Sequence, residues 1–395
     1  MATPILGMMG TGSYGADDIP DNWRRAIMRL QPNGDTPLMG MLSMLDSQET
    51  SSPHFHWWEK DPAVIEIFIN NGAGYALGIL ALAVDNGAGT GMAAVCKAGT
   101  MLYVARTGEI MRVAVDPAVG TTITVARGVG TTAAQALVDD DPIYVIGSAY
   151  EEGASVPTAQ SWLPTESDNY TQIFRTALDA TRTDLQTNKR WGTGKSYPEL
   201  VRDAWEIHMK GLEFSLIFGE QAIDVTSGYP RRITRGIRGS VAAANLTNFA
   251  GSFTEDDLDA ALEGVFRYGN QEKLLVGGST VLSNFAKIAK TKGQLEPVPG
   301  NETYGMVVRR YVTPFGSLIL KNHPLMNQIA TMRDSAIIVD LPYCKLRYIQ
   351  DTVLLQNRQD SGEDRLTDEF LSEIGFEIQC PLVHAGWTNF DGFVP

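Results

Sequence analysis

Hydrophobic and polar positions change rhythm several times along this chain. Residues 64–69 (Val-Ile-Glu-Ile-Phe-Ile) are too apolar for a strand with one face in water, so this run must meet a partner, from its own chain or another. The stretch before it, Pro53–Trp58 (PHFHWW), is aromatic and reads as extended backbone. Between residues 76 and 150 short β-rich runs follow one another: Ile79–Val84, Met101–Arg106, Ile110–Val115, Thr122–Arg127 and Ile143–Ile146. Turn chemistry separates them at Asn86-Gly87, Thr107-Gly108-Glu109, Asp116-Pro117 and Gly128–Gly130. This rhythm predicts a small all-β sandwich or barrel with tight bends.

The period then lengthens. A polar, Thr-rich extended segment from 158 to 195 can return along the first strand, as the second limb of a long excursion with the β module at its tip. Ser196-Tyr197-Pro198-Glu199 carries the spacing of a capping box with an early proline. Leu200, Ala204, Ile207, His208, Gly211 and Ser215 follow at helical spacing to about Phe218-Gly219. Roughly twenty residues at ~1.5 Å each make a rod of about 30 Å. A second capped helix is expected from Thr254, with Leu258, Ala261, Leu262 and Val265 on one face, and a third over about Thr280–Lys290. From Val307 onward the pattern is mostly strand: Val307–Val312, Ser317–Lys321, Ser335–Asp340, Leu346–Ile349 and Glu373–Leu382. The first fifty residues hold one short helical candidate, near Pro20–Leu30, and read as an arm that orders against neighbours. The fold class is α+β.

Composition is globular, with 44% hydrophobic and 20% charged residues, and no apolar stretch is long enough to span a bilayer. Met1–Met9 lacks the basic region of a secretory signal, so synthesis and assembly in the cytosol are expected. Cys96, Cys344 and Cys380 are scattered in apolar runs and read as buried free thiols. The net charge of −14, acidic in both halves, argues against a protein that grips DNA phosphates. It suits a wall that must not stick to a polymer packed inside it, as it would suit any acidic enzyme.

Several motifs imitate chemistry. Gly192-Thr193-Gly194-Lys195-Ser196 lacks the earlier glycine of a phosphate-binding loop, Lys189 standing in its place, and no apolar strand leads into it. His54 and His56 would share one face of a strand, but without a third ligand nearby they read as packing. Asp139-Asp140-Asp141 lacks the alternation of a calcium loop and reads as a solvated turn. No nucleophile motif accompanies His208, His323 or His384. Neither catalytic residues nor cofactor or metal ligands are assigned. The run containing Arg231, Arg232, Arg235 and Arg238 is locally basic, and pairing with an acidic patch on a neighbouring subunit is favoured over facing DNA.

Three stretches together carry a family resemblance. One runs from Ile19-Pro20-Asp21 through Asp35-Thr36-Pro37-Leu38 to His56-Trp57-Trp58-Glu59. The next holds Met101-Leu102-Tyr103, residues 107–113 and 123–134, Ile143–Gly147 and Glu151–Ala154; the last is Asn169–Phe174 with the connector and helix behind it. In this order they resemble the major capsid proteins of tailed bacteriophages with the Hong Kong 97-type fold, in the subgroup whose extended loop carries a small β insertion. The resemblance implies an N-terminal arm (1–50), an extended loop (51–180) with an inserted domain (76–150), and a peripheral domain (181–272) with its spine helix at 196–219. An axial domain (273–345) and a return to the peripheral domain (346–395) complete it. It further implies hexamers and pentamers of this chain in an icosahedral virion shell around double-stranded DNA, held without sequence-specific contact. A portal is implied, and a decoration protein is a partner the resemblance allows. Unlike the type member, this chain shows no long charged helical segment to be cleaved off, so a separate scaffolding protein is expected; the type member's crosslinking lysine and asparagine are not carried over. The alternatives are an encapsulin-like nanocompartment, which shares the fold around a protein cargo, and a β-rich cytosolic enzyme.

Under the capsid reading, Trp57, Trp58, Ile65, Ile67 and Ile69, with the four arginines, are the expected intersubunit contacts. Ile67→Asp is expected to prevent shell formation by burying an unpartnered carboxylate; normal particles in electron micrographs of that variant would contradict it.

Overall fold

The computed structural model describes residues 37–42, 47–87, 90–117, 120–189, 194–226, 228–292, 295–297 and 309–394. The helix expected near Pro20–Leu30, most of the arm, and the loop around 298–300 lie outside them. The chain divides into two units, Trp58–Glu166 and the segments flanking it.

The entry segments are α1 (Pro37–Leu42), β1 (Ser47–Glu49) and β2 (His54–Glu59). Then comes a closed six-stranded barrel: β3 (Glu66–Ile69), β4 (Ala81–Asp85), β5 (Thr100–Val104), β6 (Ile110–Val115), β7 (Thr122–Ala126) and β8 (Pro142–Ser148), joined in the order β3-β4-β7-β6-β5-β8. All five expected strands are present within a few residues. The barrel begins ten residues earlier than the expected insertion, because β3 joins as a sixth stave. Alternate residues point inward, among them Ile67, Ile69, Leu82, Val84, Leu102 and Val125, and all are buried. One charged pair lies among them. Arg127 donates from Nε and Nη2 to the two Glu109 carboxylate oxygens, each at 2.7 Å, and the Gly128 and Gln135 amides donate to the same oxygens at 3.0 Å. Burial pushes the Glu109 carboxyl up; the guanidinium and the two amides outweigh it and hold the group below the ordinary carboxylate range. The pair ties the β6 start to the turn after β7.

Past the barrel, β9 (Thr165–Tyr170) pairs with β2 as a two-stranded ribbon, and β10 (Gln172–Thr181) and α2 (Arg182–Gln186) lead to α3 (Tyr197–Phe218), the long helix expected at 196–219. Ser196 stands at its N-cap but makes no side-chain cap bond; its hydroxyl is spent on Asp184, and the capping box read from the sequence does not form. After α3 come β11 (Ala222–Asp224), β12 (Arg231–Ile233), α4 (Ile237–Ser240) and β13 (Leu246–Asn248). The helix α5 (Glu255–Phe266) does carry its capping box: the Thr254 hydroxyl accepts from the Asp257 amide at 3.3 Å, and Asp257 accepts from the Thr254 amide at 2.9 Å.

Next are β14 (Glu272–Gly277), α6 (Ser279–Lys292), β15 (Leu295–Pro297), β16 (Arg309–Val312), β17 (Ser317–Asn322), α7 (Pro324–Gln328), β18 (Ala336–Val339), β19 (Cys344–Leu355), β20 (Arg365–Ile378) and β21 (Ala385–Thr388). The strand β14 was not read from the sequence, yet it sits at the centre of a seven-stranded mixed sheet ordered β13-β21-β18-β14-β17-β16-β15. Buried on both faces, Leu274-Leu275-Val276 shows no alternation to read. A four-stranded sheet, β1-β19-β20-β10, carries α3 on one face. The strands β19 and β20 form a long hairpin reaching Leu355 and Arg365, beyond the expected Leu346–Ile349, because Gln350-Asp351-Thr352 and an irregular register there interrupt the apolar pattern before Val353-Leu354-Leu355 resumes it. On the far face of the large sheet, α5 and α6 close over an aromatic cluster of Phe249, Phe253, Phe285, Trp387 and Phe390.

The chain crosses between the two sheets twice side by side, at 340–344 and 378–385, where the Gln379 amide donates to the Tyr343 carbonyl at 2.9 Å. Buried polar groups lock this joint. Lys273 Nζ donates to the carbonyls of Val265, Tyr268 and Val383 at 2.7–2.8 Å, while burial pushes its pKa down to about 8. Asp340 accepts from the Asn270 amide and side chain, each at 2.8 Å. His384 Nδ1 accepts from the Asp340 amide at 3.4 Å, and its Nε2–H donates to the Gln379 carbonyl at 3.1 Å, which fixes a neutral ring. Burial, helped by the nearby Lys273 charge, lowers His384 to about 4.

Two expectations follow. Glu109→Ala should destabilise the barrel by about 3–5 kcal/mol, since Arg127 would stay buried without its counter-charge; equilibrium denaturation measures this, and a change near zero would contradict it. The depressed His384 pKa means that the unfolded chain binds the extra proton first as pH falls. Its contribution is fully present above pH 6.5 and is lost as pH falls toward about 4. The loss should amount to about 3 kcal/mol, and His384→Gln should flatten stability-versus-pH over that window; an unchanged slope in the variant would contradict it.

Candidate functional site

Two extended limbs flank the barrel, residues 58–65 on entry and 149–164 on exit. Neither has regular secondary structure beyond the end of β2. Trp162 holds them together: its Nε1–H donates to the Asp61 carbonyl at 3.3 Å, and Lys60 Nζ lies 4.8 Å from its ring centre. The limbs hold large apolar side chains in water, with Trp58 65%, Ile65 70% and Leu163 89% exposed. The barrel core is complete without them, and this arrangement is what a surface awaiting a partner looks like.

The structure separates the residues expected at this surface. Trp58 and Ile65 face outward. Trp57 is buried beside Phe55, their ring centres 6.0 Å apart. Ile67 and Ile69 are wholly buried in the barrel, so the partner demanded by this apolar run is its own chain and not another subunit. The cause is the period of two: a strand curled into a barrel turns every second side chain inward, and 67 and 69 share that parity. Ile67→Asp would therefore act on assembly through loss of the barrel.

A second exposed feature is the hairpin β11–β12, which carries Arg231 and Arg232. Arg231 is exposed, 3.7 Å from Asp224, and Arg232 is half-buried. Arg235 turns inward, donating to the Asp168 carbonyl at 3.3 Å and to Gln221, and is an internal anchor. Arg238 is exposed in α4. The basic run is thus two outward features and an anchor between them.

The anchor belongs to a buried hub that sequence reasoning missed. The Asn169 side-chain amide donates to Thr234 Oγ1, the Arg235 carbonyl and the Phe376 carbonyl at 2.7–3.2 Å, and its oxygen accepts from the Arg235 amide at 2.8 Å. One side chain thereby stitches β9, β20 and the base of the hairpin. Its partners lie 65 and 207 positions away, so no local signal could mark it.

The remaining chemical-looking residues are employed structurally. His54 Nε2 meets Asp168 at 2.7 Å, and the His56 ring packs against the His54 ring at a tilt of 54°, with ring centres 4.1 Å apart. Asp141 is held by Arg106 through two 2.6 Å bonds, and Asp139 accepts from the Asn71 amide at 2.6 Å, so the acidic triplet is divided between separate partners. His208 bridges Thr176 at 3.1 Å and Ser372 at 2.7 Å, pinning α3 to β10 and β20. That Ser–His contact is buried. Residues 192 and 193 of the glycine-rich motif lie outside the described residues; its Lys195 Nζ donates to the Gln186 carbonyl at 3.0 Å.

Comparison with known proteins gives the family. Residues 5–390 match the family described as SU10 major capsid protein. The chain is similar to the major capsid protein of Pseudomonas phage PaMx41, 28% identical over 333 residues that cover 82% of this chain and 77% of the relative. Among solved structures, it is similar to the capsid of the empty GTA particle (TM-score 0.42, 13% identity, 61% of this chain and 80% of that one). It is also similar to the holo-SrpI encapsulin of Synechococcus elongatus PCC 7942 (TM-score 0.41, 14% identity, 58% and 76%). Likenesses of shape this slight leave the assignment resting on the family.

Proposed function

The chain belongs to the SU10 major capsid protein family and is a structural subunit of a phage virion shell, not an enzyme; we propose that it closes that shell as hexamers and pentamers through the limbs flanking its barrel. The observation that carries this reading is the exposure of Trp58, Ile65 and Leu163 on two limbs tied together by Trp162. Covering large apolar side chains is worth about 1.5–3 kcal/mol each, and six- or fivefold repetition multiplies the gain. In the Hong Kong 97-type layout, 1–50 act as the arm, 51–180 as the extended loop, 181–272 and 346–395 as the peripheral domain and 273–345 as the axial domain. Trp58 and Ile65, with Arg231, Arg232 and Arg238, contact neighbours, while Trp57 and Arg235 support them from beneath.

Assembly takes place in the host cytoplasm with a separate scaffolding protein and a portal. The packaged double-stranded DNA meets the wall without sequence-specific contact, as the net charge of −14 favours. The family resemblance allows a decoration protein as a further partner.

The test is negative-stain electron microscopy of the protein produced alone and with its neighbouring genes. Closed icosahedral particles or capsomer rings are expected from the wild type, and Trp58→Asp with Leu163→Asp should abolish them while leaving a folded subunit. A uniform small oligomer from the wild type under both conditions would overturn the hexamer and pentamer reading.

A further inference from the structure

Rings alone do not close a shell. Joining one ring to another takes a second kind of contact, and between identical chains the simplest is twofold, in which one patch meets its own copy. Such a patch must be self-complementary. One edge of the larger unit has this property. The strand β10 is the last in its four-stranded sheet, paired with β20 from Gln172↔Ile374 to Thr181↔Arg365 without a register shift. Among the described residues no strand borders its other edge. Edge strands are commonly guarded by a proline or a bulge, and β10 has neither.

The outer-face side chains of β10, Ile173, Arg175, Ala177, Asp179 and Thr181, are all exposed. Arg175 and Asp179 stand on either side of the small Ala177, at equal spacing. Antiparallel pairing of β10 with a second β10, centred on Ala177, therefore sets Arg175 opposite Asp179 twice. A centre at Arg175 or at Asp179 would oppose like charges, and a centre at Thr176 or Leu178 would leave both without a counterpart, so one register is selected. Within the chain Arg175 already pairs with Glu369, and Asp179 with Arg365. The joint extends these pairs into a row of alternating sign: Glu369 and Arg175, then Asp179 and Arg365 of the second copy.

The inner face has the same symmetry. His208 Nδ1 lies 3.1 Å from Thr176 Oγ1 and its Nε2 2.7 Å from Ser372 Oγ, so α3 runs above the line between β10 and β20. Pairing β10 with β10 then sets the two α3 helices two strand spacings apart, ~10 Å, an ordinary distance for packed helices. Trp205 leans over β20, its ring centre 5.3 Å from that of Phe370. Ile207 stands about 200° further round the helix, on the flank above the open edge, beside the Thr176–Ala177 centre and 63% exposed. Leu200 and Phe214 follow on that flank at the seven-residue spacing of a helix seam, and among the described residues none of the three belongs to a core cluster. From this shared symmetry we infer that two copies join edge to edge about a twofold axis at Ala177, β10 against β10 and Ile207 against Ile207, as the contact between neighbouring rings. The inference rests on the ring reading above and supplies the contact that rings by themselves lack.

Directly opposed residues of an antiparallel pair have Cα atoms ~4.5–5.5 Å apart, within reach of a disulfide. Ala177→Cys should therefore give, on oxidation of the assembled protein, covalent dimers and nothing larger, because each chain has one twofold partner. Ile173→Cys, which faces Thr181 of the second copy in this register, should give none; the wild type, with Cys96 and Cys344 buried, is the control. Ile207→Asp should lower the yield of closed shells by about tenfold or more, with rings still formed and thermal unfolding of the subunit unchanged. No dimer from Ala177→Cys, an equal dimer from Ile173→Cys, or closed shells at wild-type yield from Ile207→Asp would each overturn the contact and leave the ring reading standing. A wild type that forms no rings overturns the ring reading instead, and the Ala177→Cys dimer still decides the edge pairing in whatever oligomer forms.

Discussion

The larger unit depends on the single apolar stripe of α3, which serves two sheets at once. Leu212, Leu216 and Ile217 pack into a core shared by Ile374, Phe376 and Ile378 of β20 and by Val276 and Val339 of the seven-stranded sheet. Within that stripe stands Glu213, wholly buried, accepting from His323 Nε2 at 2.8 Å and from the Leu38 amide at 2.9 Å. A carboxylate there is tolerable only because these partners are in place, so helix, α7 and the start of α1 are set together. The side-by-side crossings between the sheets, with Lys273, Asp340 and His384 inside, complete a body whose two halves share one core.

The barrel follows the opposite logic. It is closed, with no strand edge left open, and its core needs nothing from outside. Under the proposed reading, a self-sufficient barrel and exposed apolar area on its limbs are complementary features of a shell subunit.

Charge divides in a similar way. The chain is acidic overall, with a net charge of −14, while Arg231, Arg232 and Arg238 form locally basic features against that background.

Sequence alone determined the features governed by local periodicity and composition. The five strand runs between 76 and 150, the long helix and the Thr254 capping box are set by neighbours a few residues apart, and the order of segments along the arm, limbs and helix marked the family. Tertiary structure decided the rest. It assigned Ile67 and Ile69 to the interior and Ile65 to the surface, because parity on a strand selects a face only once the sheet has curled. Likewise β14 lay hidden, since a strand covered on both faces carries no alternation. Ser196 lost its capping role to Asp184, and Arg235 left the basic patch to serve the Asn169 hub. In each case the deciding partner is brought near by the fold and not by the local pattern of the chain, and burial then makes satisfying that polar or apolar group outweigh local preference.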